Sequence, residues 1–486
     1  MTLLLGWLAL GMKVNGSYAK TLPIRHPFIA NYLENQAHLA GQAQVLRIAV
    51  ALAPPDAAAP AVRSAGSVER TILDKDYLDA LRRLGDEISL LPGVDSPFMK
   101  SLWTSNMRWF AAGEEGLDGG TVISDRYDGS PGAMAELRGR IERSGEVGRM
   151  VAADFKSTII HVPVLDKDPR TGAALDYGAL NQRIEALRER FQAAGLRIHV
   201  IGFAKVTGDL IASMPLMLGF IALACFISAA VLYGCTRSLR STMCVVICSL
   251  AAVVWQFGLL RLLRIELDPR AIVVPFVVFA IGMSHGAQIM NGVLQDVGRG
   301  IHCVVAVRLT FRRLFAAGLA ALLCNALGFA VLAFVEIRLI QDLALAACVG
   351  VAALVLTNLV LLPVLLSHVG VSVKAARRSV PRDWRQPTKG LWALLYGVTR
   401  PRRALAAIGV AGLLAVAGFM ASQQLRLGDS APGASELRVD SRYNRDSAYI
   451  EQHYAGSTDI LTVMVKTRED QCSSYETLSL VDDLAW

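Results

Sequence analysis

At 486 residues the chain is long for one domain and corresponds to about three by length alone. Hydrophobic residues make up 53 % and charged residues 19 %, with a mean hydropathy of +0.42. Soluble chains carry about 25 % charge, so a wholly soluble protein is excluded. The net charge of +8 is then a question of membrane sidedness and does not require nucleic acid.

The opening Met1–Leu10 is almost entirely apolar. A complete membrane span needs about 20 residues, so this one is too short. It lacks the basic region ahead of a signal peptide, and it reads as the outer half of a truncated first transmembrane helix. Residues 11–209 are polar, with alternating strand and helix signals. Val45–Leu52 reads as a strand. Leu78, Leu81, Leu84 and Ile88 recur at helical spacing within Tyr77–Leu91. Pro131–Arg143 reads as a helix, and Met150–Leu165 as one or two strands. Asp176–Ala194 carries Leu180, Ile184, Leu187 and Phe191 on one face, with Gly195 as its stop. Arg197–Gly202 is a further strand. The succession points to a split βαβ module of α+β type, interrupted by a Pro/Ala-rich loop over Ala51–Val62.

Six complete apolar spans follow: Ile211–Tyr233, Ser241–Leu262, Ala271–Val293, Leu314–Val335, one within Ile340–His368, and Arg403–Met420. Each must be helical to satisfy its backbone in lipid. Alternate connectors are strongly basic; residues 369–403 alone hold Arg377, Arg378, Arg382, Arg385, Arg400, Arg402 and Arg403. The basic side should be cytoplasmic, which puts residues 11–209 outside, in the periplasm of a Gram-negative cell. Trp384–Tyr396 is compatible with an amphipathic surface helix or with a solvated linker.

After the last span the opening pattern returns. Lys13-Val14 corresponds to Arg426-Leu427, and Asn31–Asn35 to Ala448–Gln452. Val45–Val50 corresponds to Ile460–Val465, and Leu84–Ile88 to Leu480–Leu484. Four matches in the same order argue for duplication, which is frequent in secondary transporters. Two repeats would make a full protein on the order of 800 residues, with this chain about half of it.

The order of one span, a large outer domain, five clustered spans, one span and a second outer segment resembles the resistance–nodulation–division (RND) superfamily of exporters, MMPL-like branch. The local motifs are Leu22-Pro23-Ile24-Arg25-His26-Pro27, Ile281-Gly282-Met283-Ser284-His285-Gly286 and Gly328-Phe329-Ala330-Val331-Leu332. The block 211–366 is also similar to the sterol-sensing-type bundle of that superfamily. The resemblance implies a polytopic α-helical membrane protein with a periplasmic α+β porter-type (ferredoxin-like βαβ) domain. Its expected parts are a truncated helix at 1–10, the porter-type domain at 11–209, a five-helix bundle at 210–368 and a cytoplasmic basic linker at 369–402. A span at 403–421 then opens the second repeat, and 422–486 begins a second periplasmic domain.

One departure matters. The family places a proton-carrying carboxylate where Ser284 and His285 stand, and no Asp or Glu lies between Ala271 and Gln295. An ionisable residue inside a span is a functional candidate by default. An imidazole, with a reference pKa of about 6.5, suits proton uptake and release. The relay candidates are therefore His285, Ser284, Asn325 and Asn358; the competing reading is interhelical hydrogen bonding without proton traffic. Ser284, Gln288 and Asn291 share a helix face, with His285 at its edge. Gly282 and Gly286 form a small-xxx-small pair that favours close helix packing. Gln256 is a further interhelical candidate, and Glu266, Asp268, Glu336 and Asp342 fall near the outer membrane surface.

The eight cysteines form no CxxC pattern, and His26 and His161 lack metal-site spacing. P-loop, GxSxG and HExxH motifs are absent. No catalytic, metal or cofactor residues are assigned. The expected function is proton-driven export of hydrophobic or lipid-like substrates, not an enzyme activity. The expected partners are membrane lipids, substrate, protons, the missing second half and a possible second copy, without nucleic acid. The alternative is a lipid-binding or sensor module that does not pump.

Overall fold

A computed structural model describes residues 1–12, 16, 18–35, 44–53, 70–113, 116–124, 127–168, 172–380, 397–425, 433–455 and 463–485. The polar domain that precedes the spans is built on a three-stranded sheet of β1 (Val45–Leu52), β4 (Ser157–Pro163) and β5 (Leu196–Ile201), in the order β4-β1-β5. β1 runs antiparallel to both neighbours, with Ala49 opposite Ile159 on one side and His199 on the other. β4 and β5 are therefore parallel to each other, joined through a helix with β1 between them, which is a split β-α-β unit. A ferredoxin-like sheet has four strands. The described residues supply three, plus a separate hairpin of β2 (Arg108–Gly113) and β3 (Gly116–Thr121) that the sequence did not announce.

Strand alternation decides the packing. Leu46, Ile48 and Val50 of β1, Ile160 and Val162 of β4, and Ile198 and Val200 of β5 point to one face. There they meet α3 (Lys75–Ser89), α4 (Pro131–Arg143) and α5 (Tyr177–Ala193), whose buried faces include Leu78, Leu81, Leu84, Ile141, Leu180 and Ile184. The opposite face presents Ala49, Ile159 and Ile201. It is covered by a helix from beyond the last span, α14 (Arg442–His453), through Ile450, with Tyr454 just after it.

Two short helices, α1 (Thr2–Leu10) and α2 (Pro27–Asn35), precede the sheet. Among the described residues, six helices are long and apolar enough to cross a membrane. The first, α6 (Phe203–Thr236), continues without a break from the sheet domain, so the apolar stretch 211–233 is only part of it. α7 spans Leu239–Leu262 and α8 spans Val273–Gly298. α9 (Cys303–Val331) begins well before the apolar run at 314. Its first turns carry Arg308, Arg312 and Arg313, long side chains whose charged ends reach water from a membrane helix end.

The fifth span is three pieces on one axis: α10 (Arg338–Leu354), a π-helical turn over Val355–Leu361, and α11 (Leu362–Val369). Pro363 lacks an amide hydrogen, so a carbonyl in the turn before it loses its helical donor, and the wide turn sits where that happens. α12 (Val373–Ser379) then packs on α8, placing Ala376 beside Gly298. The sixth span, α13 (Pro401–Ser422), has no buried residue.

Of the proposed repeat, Asn31–Asn35 and Ala448–Gln452 both lie in helices (α2 and α14). Leu84–Ile88 and Leu480–Leu484 do likewise (α3 and α15, Tyr475–Ala485). Residues 463–465 are irregular, in contrast to strand β1. The matches at 13–14, 426–427 and 460–462 lie outside the described residues, as do Trp384–Tyr396 and most of the Pro/Ala-rich loop.

Candidate functional site

The bundle core is set by glycines on α8. A Cβ on Gly282 would meet the Asn358 amide nitrogen at 2.8 Å and the Ser249 hydroxyl at 2.9 Å. One on Gly286 would come within 2.5 Å of Val245. On the facing helix, a Cβ on Gly350 would strike Val278 at 2.4 Å and the Gln256 amide at 2.9 Å. These absent side chains let α7, α8 and α10 approach closely enough for buried polar groups to converge.

That convergence is the site. Asn358 lies in the π turn and is wholly buried, and neither its amide nitrogen nor its oxygen has a hydrogen-bond partner. The Ser249 hydroxyl beside it is buried and unpaired as well. Gln256, two turns along α7, donates its amide to the Ala346 carbonyl at 2.9 Å while its oxygen stays unpaired. A buried unsatisfied polar group costs about 1–3 kcal/mol. Such a cluster, on α7 and on the irregular turn of the fifth span and packed against Gly282 of α8, is the candidate site.

His285 is 9 % exposed, on the packed side of α8. No hydrogen bond to its ring is present among the described residues, and none joins it to Asn325 or Asn358. Asn325 is half-buried on α9. Ser284 points the other way: it is exposed, and its hydroxyl donates to the Ile281 carbonyl of its own helix at 2.9 Å. Gln288 and Asn291 share that exposed face. The α8 candidates thus divide between two surfaces, His285, Gly282 and Gly286 facing the bundle and Ser284 facing away from it.

The sequence window without carboxylates ends one residue before an acid. Asp296, near the C-terminus of α8, is 3 % exposed. It accepts from Arg299 at 3.3 Å, Arg313 at 3.2 Å and the Thr310 hydroxyl at 3.2 Å. The two guanidinium groups make it a clamp between α8 and α9. The tandem Arg312-Arg313 was the available signal.

At the end of the bundle nearer the sheet domain, Lys20 pairs with Asp342 at 3.3 Å, Arg25 with Glu336 at 3.4 Å, and Arg270 with Glu436 at 3.4 Å. Burial raises the Asp268 carboxyl, against the backbone amide and charge of Arg270. A second charged network links α6 to the sheet domain. The Lys205 ammonium, 3 % exposed, contacts Asp209, the Glu185 carboxylate at 2.8 Å and the Asn181 side-chain oxygen at 2.9 Å. Glu185 also pairs with Arg188 and with Arg442 of α14. Arg188 in turn holds Asp446 with contacts of 2.6 and 2.8 Å. Nothing in the sequence brought these residues together. Among the described residues, no group of His, Cys, Asp or Glu is gathered as a metal site.

A family model, the MMPL family, matches residues 147–403 of the 486. The match runs from the end of α4 through the sheet's last two strands and the five bundled spans to the start of α13. No curated protein matches the chain. With more than half its length under that match and six membrane-length apolar helices, the chain belongs to the MMPL family and is a multi-pass, transporter-like membrane protein.

Proposed function

We propose that the chain is an exporter of the RND type, driven by protons and carrying hydrophobic or lipid-like solutes. The outer domain, residues 11–209, acts as the porter-type domain outside the membrane, and the basic linker 369–402 lies in the cytoplasm. His285 takes up and releases the proton, with Ser284, Asn325 and Asn358 as relay groups. The observation that carries this reading is the polar centre in the bundle: a buried imidazole on α8 and, around Gly282, the unpaired Asn358 and Ser249. Polar groups inside a membrane are retained where ions or solutes move.

The exposed face of α8 supports a partner. Ser284, Gln288 and Asn291 stand outward on a membrane helix, and polar groups at that depth face protein or a water-filled path instead of lipid. A second bundle, from a second half or a second copy, fits that face.

Reconstituted full chain should acidify or alkalinise vesicles when a fluorescent fatty-acyl probe is supplied across a proton gradient. His285→Ala should lower that proton-coupled flux by about 100-fold, in the range of positioned acid–base groups. Equal flux from the variant would sink the relay. A second reading, a lipid-binding sensor with a sterol-sensing-like bundle, is favoured by the lack of any carboxylate between Ala271 and Gln295. Saturable lipid binding with no flux in either protein would select it.

A further inference from the structure

A cleft of about 370 Å³ opens beside the outer end of the bundle, away from the polar centre. Phe334, the last residue of the α9 span, and Arg338, the first of α10, form one side with Glu336 and Gln341. Ile24 and Arg25, from the segment between α1 and α2, form the other. A β-bridge between Pro23 and Ile337 fixes the two sides to each other. Because its walls are the ends of two membrane spans, the cleft lies at the level of the membrane surface, on the side of the outer domain.

Its chemistry is divided. Two arginines, Arg25 and Arg338, and one carboxylate, Glu336, line it, an excess of one positive charge. Arg338 has no ionic partner among the described residues. The Arg25–Glu336 pair is 81 % and 50 % exposed, so it contributes little and is readily exchanged for a stronger acceptor. Phe334 at 85 % exposure and Ile24 at 44 % supply an apolar edge facing the acyl region. Gln341 is held by a 2.9 Å bond from its amide to the Val335 carbonyl, which keeps the connector in shape.

We propose that this cleft binds the phosphate headgroup of an anionic phospholipid of the outer leaflet. Arg338 and Arg25 take the phosphate oxygens, Glu336 is displaced from Arg25, and Phe334 and Ile24 lie against the first acyl carbons. Guanidinium forks match phosphate geometry, and the positive excess discriminates against zwitterionic lipid. The assignment to the outer leaflet rests on the proposed orientation, with the sheet domain outside, but the binding does not depend on whether the bundle pumps.

Detergent-solubilised full chain would be titrated by native mass spectrometry with dihexanoyl phosphatidylglycerol, dihexanoyl phosphatidylcholine and inorganic phosphate. The glycerol lipid should bind about tenfold more tightly than the choline lipid. Arg338→Gln should remove about fivefold of that, the worth of one basic residue at a charged lipid surface. Glu336→Gln should tighten binding, which tests the site even if Arg338→Gln folds poorly. Arg240→Gln, at the other membrane surface, should change nothing. Equal binding of the two lipids, or indifference to both cleft substitutions, would overturn the assignment. So would inorganic phosphate competing as well as the glycerol lipid, because the cleft would then be a free-anion site.

Discussion

His161 shows how a single half-buried ring can set the pH range of a domain. It lies on β4 opposite Arg47, with Lys100 and Arg149 also near. Burial, and then the charges of Arg47, Lys100 and Arg149, push its pKa down to about 4. The unfolded chain takes up this proton near 6.5 and the folded one only near 4. Between those values the unfolded state binds more protons, so stability is full above pH 6.5 and falls as pH drops towards 4. The loss is about 3 kcal/mol at most. Thermal unfolding followed by tryptophan fluorescence should show a midpoint that falls across this window. His161→Gln should flatten the slope, and an unchanged slope would show that another group controls it.

The π turn is the element where local irregularity and site coincide. Pro363 has no amide hydrogen for the preceding turn, and of the buried polar residues in that turn Thr357 bonds to the Ala353 carbonyl while Asn358 is unpaired. A proline inside a regular helix costs about 3 kcal/mol relative to alanine. Pro363→Ala should therefore raise the melting temperature of the solubilised protein as the turn relaxes towards α geometry. Asn358 would then rotate away from Gly282, and transport should fall. Stability gained together with activity lost is the outcome that separates a functional turn from a packing defect. A variant that keeps full flux would make the turn structural only.

The same comparison marks what was legible. Strand β1 and helix α4 follow from hydrophobic pattern and a Ser130–Pro131 start, because local chemistry decides them. The glycines at 282 and 286 were visible as spacing, and His285 as the lone titratable group of its span. The π turn was not, because a register shift of one residue leaves hydropathy unchanged. Ser249 beside Asn358 was hidden for another reason: which faces of three apolar helices meet is settled by glycine contacts between helices, not within one. Hairpin β2–β3 escaped because Gly116, Gly119 and Gly120 give it little strand propensity.

At the scale of the whole molecule, the sheet domain before the bundle and the helix after the last span are one packed unit. Helix α14 lies about 250 residues beyond β5 in the chain (from Val200 to Asp446) and closes the sheet's second face. Its key is Asp446, which takes both Arg188 bonds, a 2.8 Å contact from the His199 ring and the Val200 amide at 3.2 Å. His199 stacks on Tyr449, with ring centroids 3.9 Å apart, and the Tyr454 hydroxyl donates to Ser157 at 2.7 Å. Through Glu185 the same network reaches Lys205 at the head of α6. A tilt of the first complete span is thereby tied to the outer sheet and to the segment that follows the last span. Asp446→Ala would leave the buried Arg188 guanidinium with Glu185 but without its two shorter contacts, at a cost of about 3 kcal/mol. Helix α14 should then leave the sheet, and trypsin should cut after Arg442 or Arg445, sites it should spare in the parent protein. Because an under-paired buried charge is the cause, Arg188→Met placed with Asp446→Leu should restore protection, whereas either change alone should not. Protection surviving in Asp446→Ala would mean that Ile450 and Tyr454 hold the helix by apolar contact, and that the charged network only orients it.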